Sequence, residues 1–256
     1  MTRAVLVVAL AALAIGACWW QRAAPAPPGE GLSLRFWGHA AFTVTSPRGF
    51  HVLMDPYHEQ LGLGPLDEVA EVITISHLHP DHASFHPANK SATVLNGVCV
   101  DPRTARAWVA PLDGQFYDFE IRSFAASHAT TAHPDLGPDA IFRVRAGGVT
   151  LVHLGDVGRA PAPEVLAALG PVDVLLLPVG GTYTLDAAGA AALVRRIAPR
   201  LVVPMHYQRK GLTVALDPVE KFLATQSRVR RAKGVITLKP NELPAATEVL
   251  VLEADR

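Results

Sequence analysis

The sequence predicts an α/β domain of two β-sheets with helices packed outside them. Short β-like runs open the domain without helices between them, and later runs are interleaved with helical stretches. Neither an internal repeat nor a second linker interrupts the chain after about residue 32, so one domain is expected over 32–256. At 256 residues, half of them hydrophobic, the chain is long enough to bury a sizeable core.

Runs 32–37, 41–45 and 50–54 form an opening meander, with Ser46-Pro47-Arg48-Gly49 supplying turn residues between the last two. Run 69–75 reads as a buried strand through Val72, Ile73 and Ile75, and it leads straight into a cluster of histidines. Further strands are expected at 121–124, 140–145, 149–154, 172–177, 201–203, 234–238 and 247–252. Helices are expected at 164–169, ending at Gly170, and at 186–197, with Leu193, Val194 and Ile197 on one side and Pro199 just beyond. A third is expected at 218–226, with Asp217 as its N-cap. Trp37, Phe42, Trp108 and Leu175-Leu176-Leu177 read as core, and Arg195, Arg196 and Arg200 as a solvated face.

The first residues read as an export signal. Arg3 gives a short positive region, and an uncharged apolar run over 4–17 ends in small residues before Cys18. Ile15-Gly16-Ala17-Cys18 resembles the lipobox of bacterial lipoproteins, which implies a membrane tether through a lipidated Cys18. An ordinary cleaved signal and an uncleaved anchor are the alternatives, the run being short for a span of about 20 residues. Either way the domain is expected outside the cytoplasm, with 1–18 as signal and 19–31 as a Pro/Ala-rich spacer. Cys99 would then have no intramolecular partner, so no disulfide is expected. Lysine plus arginine equals aspartate plus glutamate at 23 each. That balance leaves no basic footprint for a phosphate backbone, so nucleic acid is not expected as a partner.

The chemistry concentrates in Ser76-His77-Leu78-His79-Pro80-Asp81-His82, three imidazoles and a carboxylate directly after an apolar strand. Imidazole nitrogen and carboxylate oxygen are the usual donors for zinc. Positions 77, 79 and 81 are expected on one side of an extended loop, with 82 turned toward an adjacent site, which makes two neighbouring metals possible.

This segment resembles the His-x-His-x-Asp-His signature of the metallo-β-lactamase superfamily, and further candidate ligands follow in order: His128, Asp156 and His206, each after a strand candidate. The resemblance implies a four-layer αββα sandwich. It also implies that His77, His79 and His128 bind one metal and Asp81, His82 and His206 a second, with Asp156 bridging. Gly38-His39-Ala40-Ala41-Phe42, Met54-Asp55-Pro56 and Pro178-Val179-Gly180-Gly181-Thr182-Tyr183-Thr184 resemble the L-ascorbate-6-phosphate lactonase-like branch.

By that resemblance the chain is a hydrolase using a metal-activated hydroxide on an ester, lactone, amide or phosphodiester of a small-molecule or lipid-derived substrate. The two divalent ions are expected to be zinc, with manganese or iron as alternatives. Asp81 is expected to orient the nucleophile, and His39 is weighed as a nearby hydrogen-bond donor or proton carrier against a structural hydrogen-bonding histidine. Asp55 reads as a supporting or turn carboxylate. Tyr183 is weighed as an oxyanion donor against a packing or substrate contact, and His133 as a substrate contact against a solvated loop residue. His51, His58, His86 and His153 read as surface or structural. The alternative readings are a secreted metallo-β-lactamase, against which Asp156 argues, and a non-catalytic metal-binding lipoprotein. A redox di-iron role is disfavoured because relatives of that kind carry glutamate where His79 stands. The sequence names neither the substrate nor the oligomeric state.

Overall fold

The computed structural model describes residues 30–254. The expected signal, Cys18 and nearly all of the spacer lie outside the described residues. Five strands come first: β1 (Leu32–Gly38), β2 (Ala41–Thr45), β3 (His51–Met54), β4 (Val72–Ile75) and β5 (Thr93–Asn96). A small pair follows, β6 (Val98–Val100) and β7 (Ala107–Val109), then β8 (Asp113–Phe116), β9 (Phe119–Ser127), β10 (Pro138–Ala146) and β11 (Val149–His153). Helix α1 (Pro163–Leu169) leads to β12 (Val174–Pro178), and α2 (Ala187–Ile197) to β13 (Leu201–Met205). The chain closes with α3 (Val219–Leu223), β14 (Val229–Lys233), β15 (Ile236–Leu238) and β16 (Glu248–Glu253).

These strands build two large sheets, in the orders β15-β1-β2-β3-β4-β5 and β14-β16-β13-β12-β11-β10-β9-β8. Strand alternation explains how the first sheet sits. Val52 and Met54 of β3 join the main core with Phe36, Phe42 and residues of the second sheet such as Phe142 and Val152, whereas Leu53 points to the opposite face. There it meets Trp37, Tyr57, Leu61, Leu66 and Ile73, so the segment after β3 covers this outer face with loop and one 3-10 turn (Glu59–Leu61). The second sheet is covered differently. β11, β12 and β13 are mutually parallel, and the connections between them carry α1 and α2. With both faces protected, β12 and β13 are buried at every position. The result is the expected α/β sandwich, with its true helices gathered in the half that contains the second sheet's parallel strands.

Several local expectations change. Asp217 does not cap the third helix; Pro218 holds the N-cap position, while Asp217 pairs with Lys221 at 2.6 Å and the helix stops after five residues. Trp108 is not core: it lies on the β6–β7 pair and is 46% exposed. Arg200 is not simply a solvated face, because its guanidinium donates to the carbonyls of Pro240, Leu243 and Pro244 and so clamps the 240–244 loop. Val69, expected inside a strand, is exposed, and β4 begins only at Val72.

Candidate metal centre

The C-terminal ends of parallel strands share one edge of a sheet, and loops leaving that edge are where α/β proteins assemble sites. Here β4 ends at Ile75 before Ser76 and His77, β11 at His153 before Asp156, β13 at Met205 before His206, and β12 at Pro178 before the loop carrying Tyr183. β9 delivers His128, β3 delivers Asp55, and the β1–β2 turn supplies His39. Backbone strain marks the same edge: His39, Asp55 and His206 have φ of 54°, 43° and 50°, a region that non-glycine residues rarely adopt. The approach is close enough to require glycine at 155, where a Cβ would come within 2.4 Å of Asp139 Oδ1 and 2.7 Å of Ser76 Cβ.

All seven expected ligands converge, together with His39. Donor atoms of His77, His79 and His128 form one group within 4.8 Å of each other, and those of His39, Asp81, His82 and His206 form a second. Asp81 therefore sides with His82 rather than with positions 77 and 79, which corrects the alternation expected of an extended loop: His82 N donates to the His79 carbonyl at 2.9 Å, and this turn swings position 81 round. Asp156 Oδ2 sits between the groups, 3.1 Å from both His82 Nε2 and His206 Nε2, 3.5 Å from His128 Nε2 and 3.9 Å from His77 Nε2.

The hydrogen bonds behind the rings fix which nitrogens face inward. Asp55 is fully buried and accepts from Ser76 N at 2.8 Å, Ser76 Oγ at 2.5 Å and His82 Nδ1 at 2.9 Å. With its own proton given to Asp55, Ser76 Oγ accepts from His77 Nδ1 at 3.0 Å. His77, kept neutral by burial, thus turns an unprotonated Nε2 toward the centre, and His82 turns its Nε2 toward the Asp156 carboxylate. His77 Nε2 lies 3.0 Å from His79 Nδ1, and His82 Nε2 faces the Asp156 carboxylate. Ligand atoms gathered this closely fit a shared cation. Among the described residues, His82 Nε2, both ring nitrogens of His128 and Asp156 Oδ1 are buried without a hydrogen-bond partner. Buried donors orphaned around one carboxylate fit a divalent metal pair, and the imidazole-rich set suits zinc.

The electrostatics agree. Burial pushes His39 down to about 3, His77 to about 4 and His128 to about 3, which keeps these rings neutral and free to bind. Burial also opposes charge on His82, but Asp156 and Asp55 overcome it and raise this ring well above the usual histidine range. Burial likewise disfavours ionising Asp81 and Asp156. The hydrogen bond from His39 nevertheless holds Asp81 low, and His206 and His82 do the same for Asp156.

His39 is 1% exposed and donates from Nε2 to Asp81 Oδ2 at 3.1 Å, while its backbone carbonyl accepts from His206 N at 2.7 Å. His153 is buried and structural: its Nδ1 accepts from Gly155 N at 3.0 Å, which leaves Nε2 to donate to the Ala40 carbonyl at 2.9 Å. That pair of bonds ties the loop before Asp156 to the turn carrying His39. Tyr183 lines the cleft over the centre, and His133 stacks on it with ring centroids 5.0 Å apart. His51, His58 and His86 lie away from the cleft lining.

Sequence reasoning missed Asp139. This carboxyl is fully buried; its Oδ1 accepts from Asp156 N at 3.1 Å and lies 3.5 Å from His77 Nδ1. Burial beside Asp156 and Asp55 raises its pKa well above the ordinary carboxylate value. Nothing in Gly137-Pro138-Asp139 announces this, because only the pairing of β10 with its neighbours brings the side chain beneath the centre.

Residues 33–206 match the family model described as the beta-lactamase superfamily domain. A UPF0173 metal-dependent hydrolase of Carboxydothermus hydrogenoformans is 31% identical over 192 residues, which span 69% of this chain and 84% of that protein. One from Thermococcus kodakarensis is 30% identical over 231 residues, 82% of this chain and 98% of that protein. Among solved structures, one described as a Zn-dependent hydrolase of the metallo-β-lactamase superfamily from Thermotoga maritima superposes with a TM-score of 0.65 at 27% identity, covering 88% of this chain and all of that one. The chain belongs to the metallo-β-lactamase superfamily, among its metal-dependent hydrolases.

Proposed function

We propose that the protein is a dinuclear zinc hydrolase of an ester, lactone, amide or phosphodiester, exported and tethered at Cys18, with His77, His79, His128, Asp81, His82 and His206 as ligands and Asp156 as the bridge. Manganese or iron are the alternative metals. One observation carries the reading: Asp156 Oδ2 lies within 3.9 Å of four imidazole nitrogens delivered by three strand ends. A metal pair bound there lowers the pKa of coordinated water to about 7 and polarises the scissile group. The chain's own residues do the rest. Asp55 and Ser76 hold the His77 and His82 rings in register. His39 pins one oxygen of Asp81 and keeps that carboxylate ionised. The cleft above the centre admits the substrate beside Tyr183.

The test is a screen of the zinc-loaded protein against lactones, esters, N-acyl amides and phosphodiesters, with His79→Ala as control. Turnover is expected to fall about a thousandfold or more in the variant, on the scale of losing a metal-held nucleophile. Undiminished turnover would remove His79 from the catalytic centre. Labelling with radioactive palmitate, lost in Cys18→Ser, tests the tether.

A further inference from the structure

Beyond the metal-facing side chains, the cleft has a wall of its own. It encloses about 520 Å³ including its open mouth, and its remaining lining is Leu136, Tyr183 and Val214. No lysine or arginine is among its lining residues. The wall is assembled from three loops. Thr130 N donates to the His133 carbonyl at 3.0 Å and His133 N to Thr130 Oγ1 at 3.0 Å, which folds the loop after β9 back on itself. Thr130 Oγ1 also donates to the Thr182 carbonyl at 3.4 Å, linking that loop to the one bearing Tyr183. The stacked His133–Tyr183 pair therefore stands as a braced aromatic panel. Val214 approaches from the loop after β13, packed with Leu63 and Leu212 against the outer cluster, and Thr213 N there donates to the Leu61 carbonyl at 3.0 Å.

Resting on the hydrolase reading above, we propose that this wall selects a substrate whose scissile group sits at the metals and whose flanking substituent is uncharged and apolar, aromatic or branched aliphatic. A substituent entering between Leu136, Val214 and Tyr183 gives up water for hydrocarbon and ring faces, which favours apolar groups and penalises a charged one left without a counter-charge. The charge of the metals serves the scissile group itself. A phosphate or carboxylate carried elsewhere on the substrate, as on a sugar phosphate, meets no cationic side chain in this lining.

Metal-anchored probes test the wall without knowledge of the natural substrate. 4-Isopropylbenzohydroxamate and 4-carboxybenzohydroxamate share a chelating head and nearly the same shape, and they differ in charge at the far end. Calorimetry on the zinc-loaded full chain is expected to show the isopropyl compound binding at least tenfold more tightly. Val214→Arg is expected to shrink that ratio tenfold or more, with Leu136→Arg as the second variant should the first not fold by circular dichroism. Equal or tighter binding of the carboxy compound, or a ratio unmoved by arginine in a folded variant, overturns the wall's selectivity and leaves the metal centre standing. Failure of both hydroxamates to bind overturns the metal centre, and the wall's role with it.

Discussion

The two halves of the donor set are held in different ways. On the His77–His82 loop, Asp55 reaches His82 directly and His77 through the Ser76 hydroxyl, so both rings are aimed before any metal arrives. On the opposite side, His128 has no hydrogen-bond partner at either ring nitrogen among the described residues, and His206 Nδ1 is likewise buried and unpartnered. Those rings are located by their strand ends and by packing against neighbours such as the His39–His206 pair, 4.1 Å apart. One half is thus preorganised by a carboxylate hub, while the other takes its final ring orientation from what it binds.

Asp55→Ala is the sharpest way to break the contrast. It strips the acceptor from His82, Ser76 Oγ and Ser76 N together, so zinc affinity in a chelator competition is expected to fall about 100-fold, the upper end for partners of ligating groups. An affinity within twofold of the parent would show that the hub does not organise the loop. Asp139→Ala is expected to cost less, about tenfold, since Asp139 supports the Asp156 backbone and touches His77 only at 3.5 Å. Asp139→Asn keeps an acceptor for Asp156 N and should bind zinc like the parent. If Asn and Ala fall equally, acceptance of the Asp156 N–H is not what Asp139 contributes.

Acid gives the smallest and most distributed effect. His39, His77 and His128 are held at about 3, 4 and 3 in the fold, against about 6.5 when unfolded. Below pH 6.5 the unfolded chain therefore takes up protons that the fold refuses, and metal-free stability falls as pH drops from 6.5 toward 4. His82 and Asp139, raised in the fold, work in the opposite sense, two groups against these three and His79, which burial also lowers. The thermal midpoint of the chelator-treated protein is expected to drop by about 5 °C or more between pH 7 and pH 5. A midpoint that rises instead would mean that those three rings are protonated in the fold.

How much of this was legible in the sequence follows from how local each signal is. His77, His79, Asp81 and His82 sit within six residues, and His128, Asp156 and His206 each follow a strongly apolar or alternating strand, so the donor set could be read in order. Asp139 could not, because its meaning comes from register: Pro138 pairs with Ser127 and Phe142 with His153, which sets Asp139 between two ligand-bearing strand ends. β14, Val-Arg-Arg-Ala-Lys, has no apolar alternation because it is an exposed edge strand, where charge is the usual protection against pairing. β8 was missed for a similar reason, as the last strand of the second sheet with a glycine in its four residues. Arg200 looked like surface charge because the carbonyls it clamps lie some forty residues away.

The most direct test is the metal content of the chain after dialysis against zinc, read by elemental analysis alongside protein concentration. Two ions per chain are expected, one for each donor group astride Asp156. A content of one ion or none in the folded protein would contradict it.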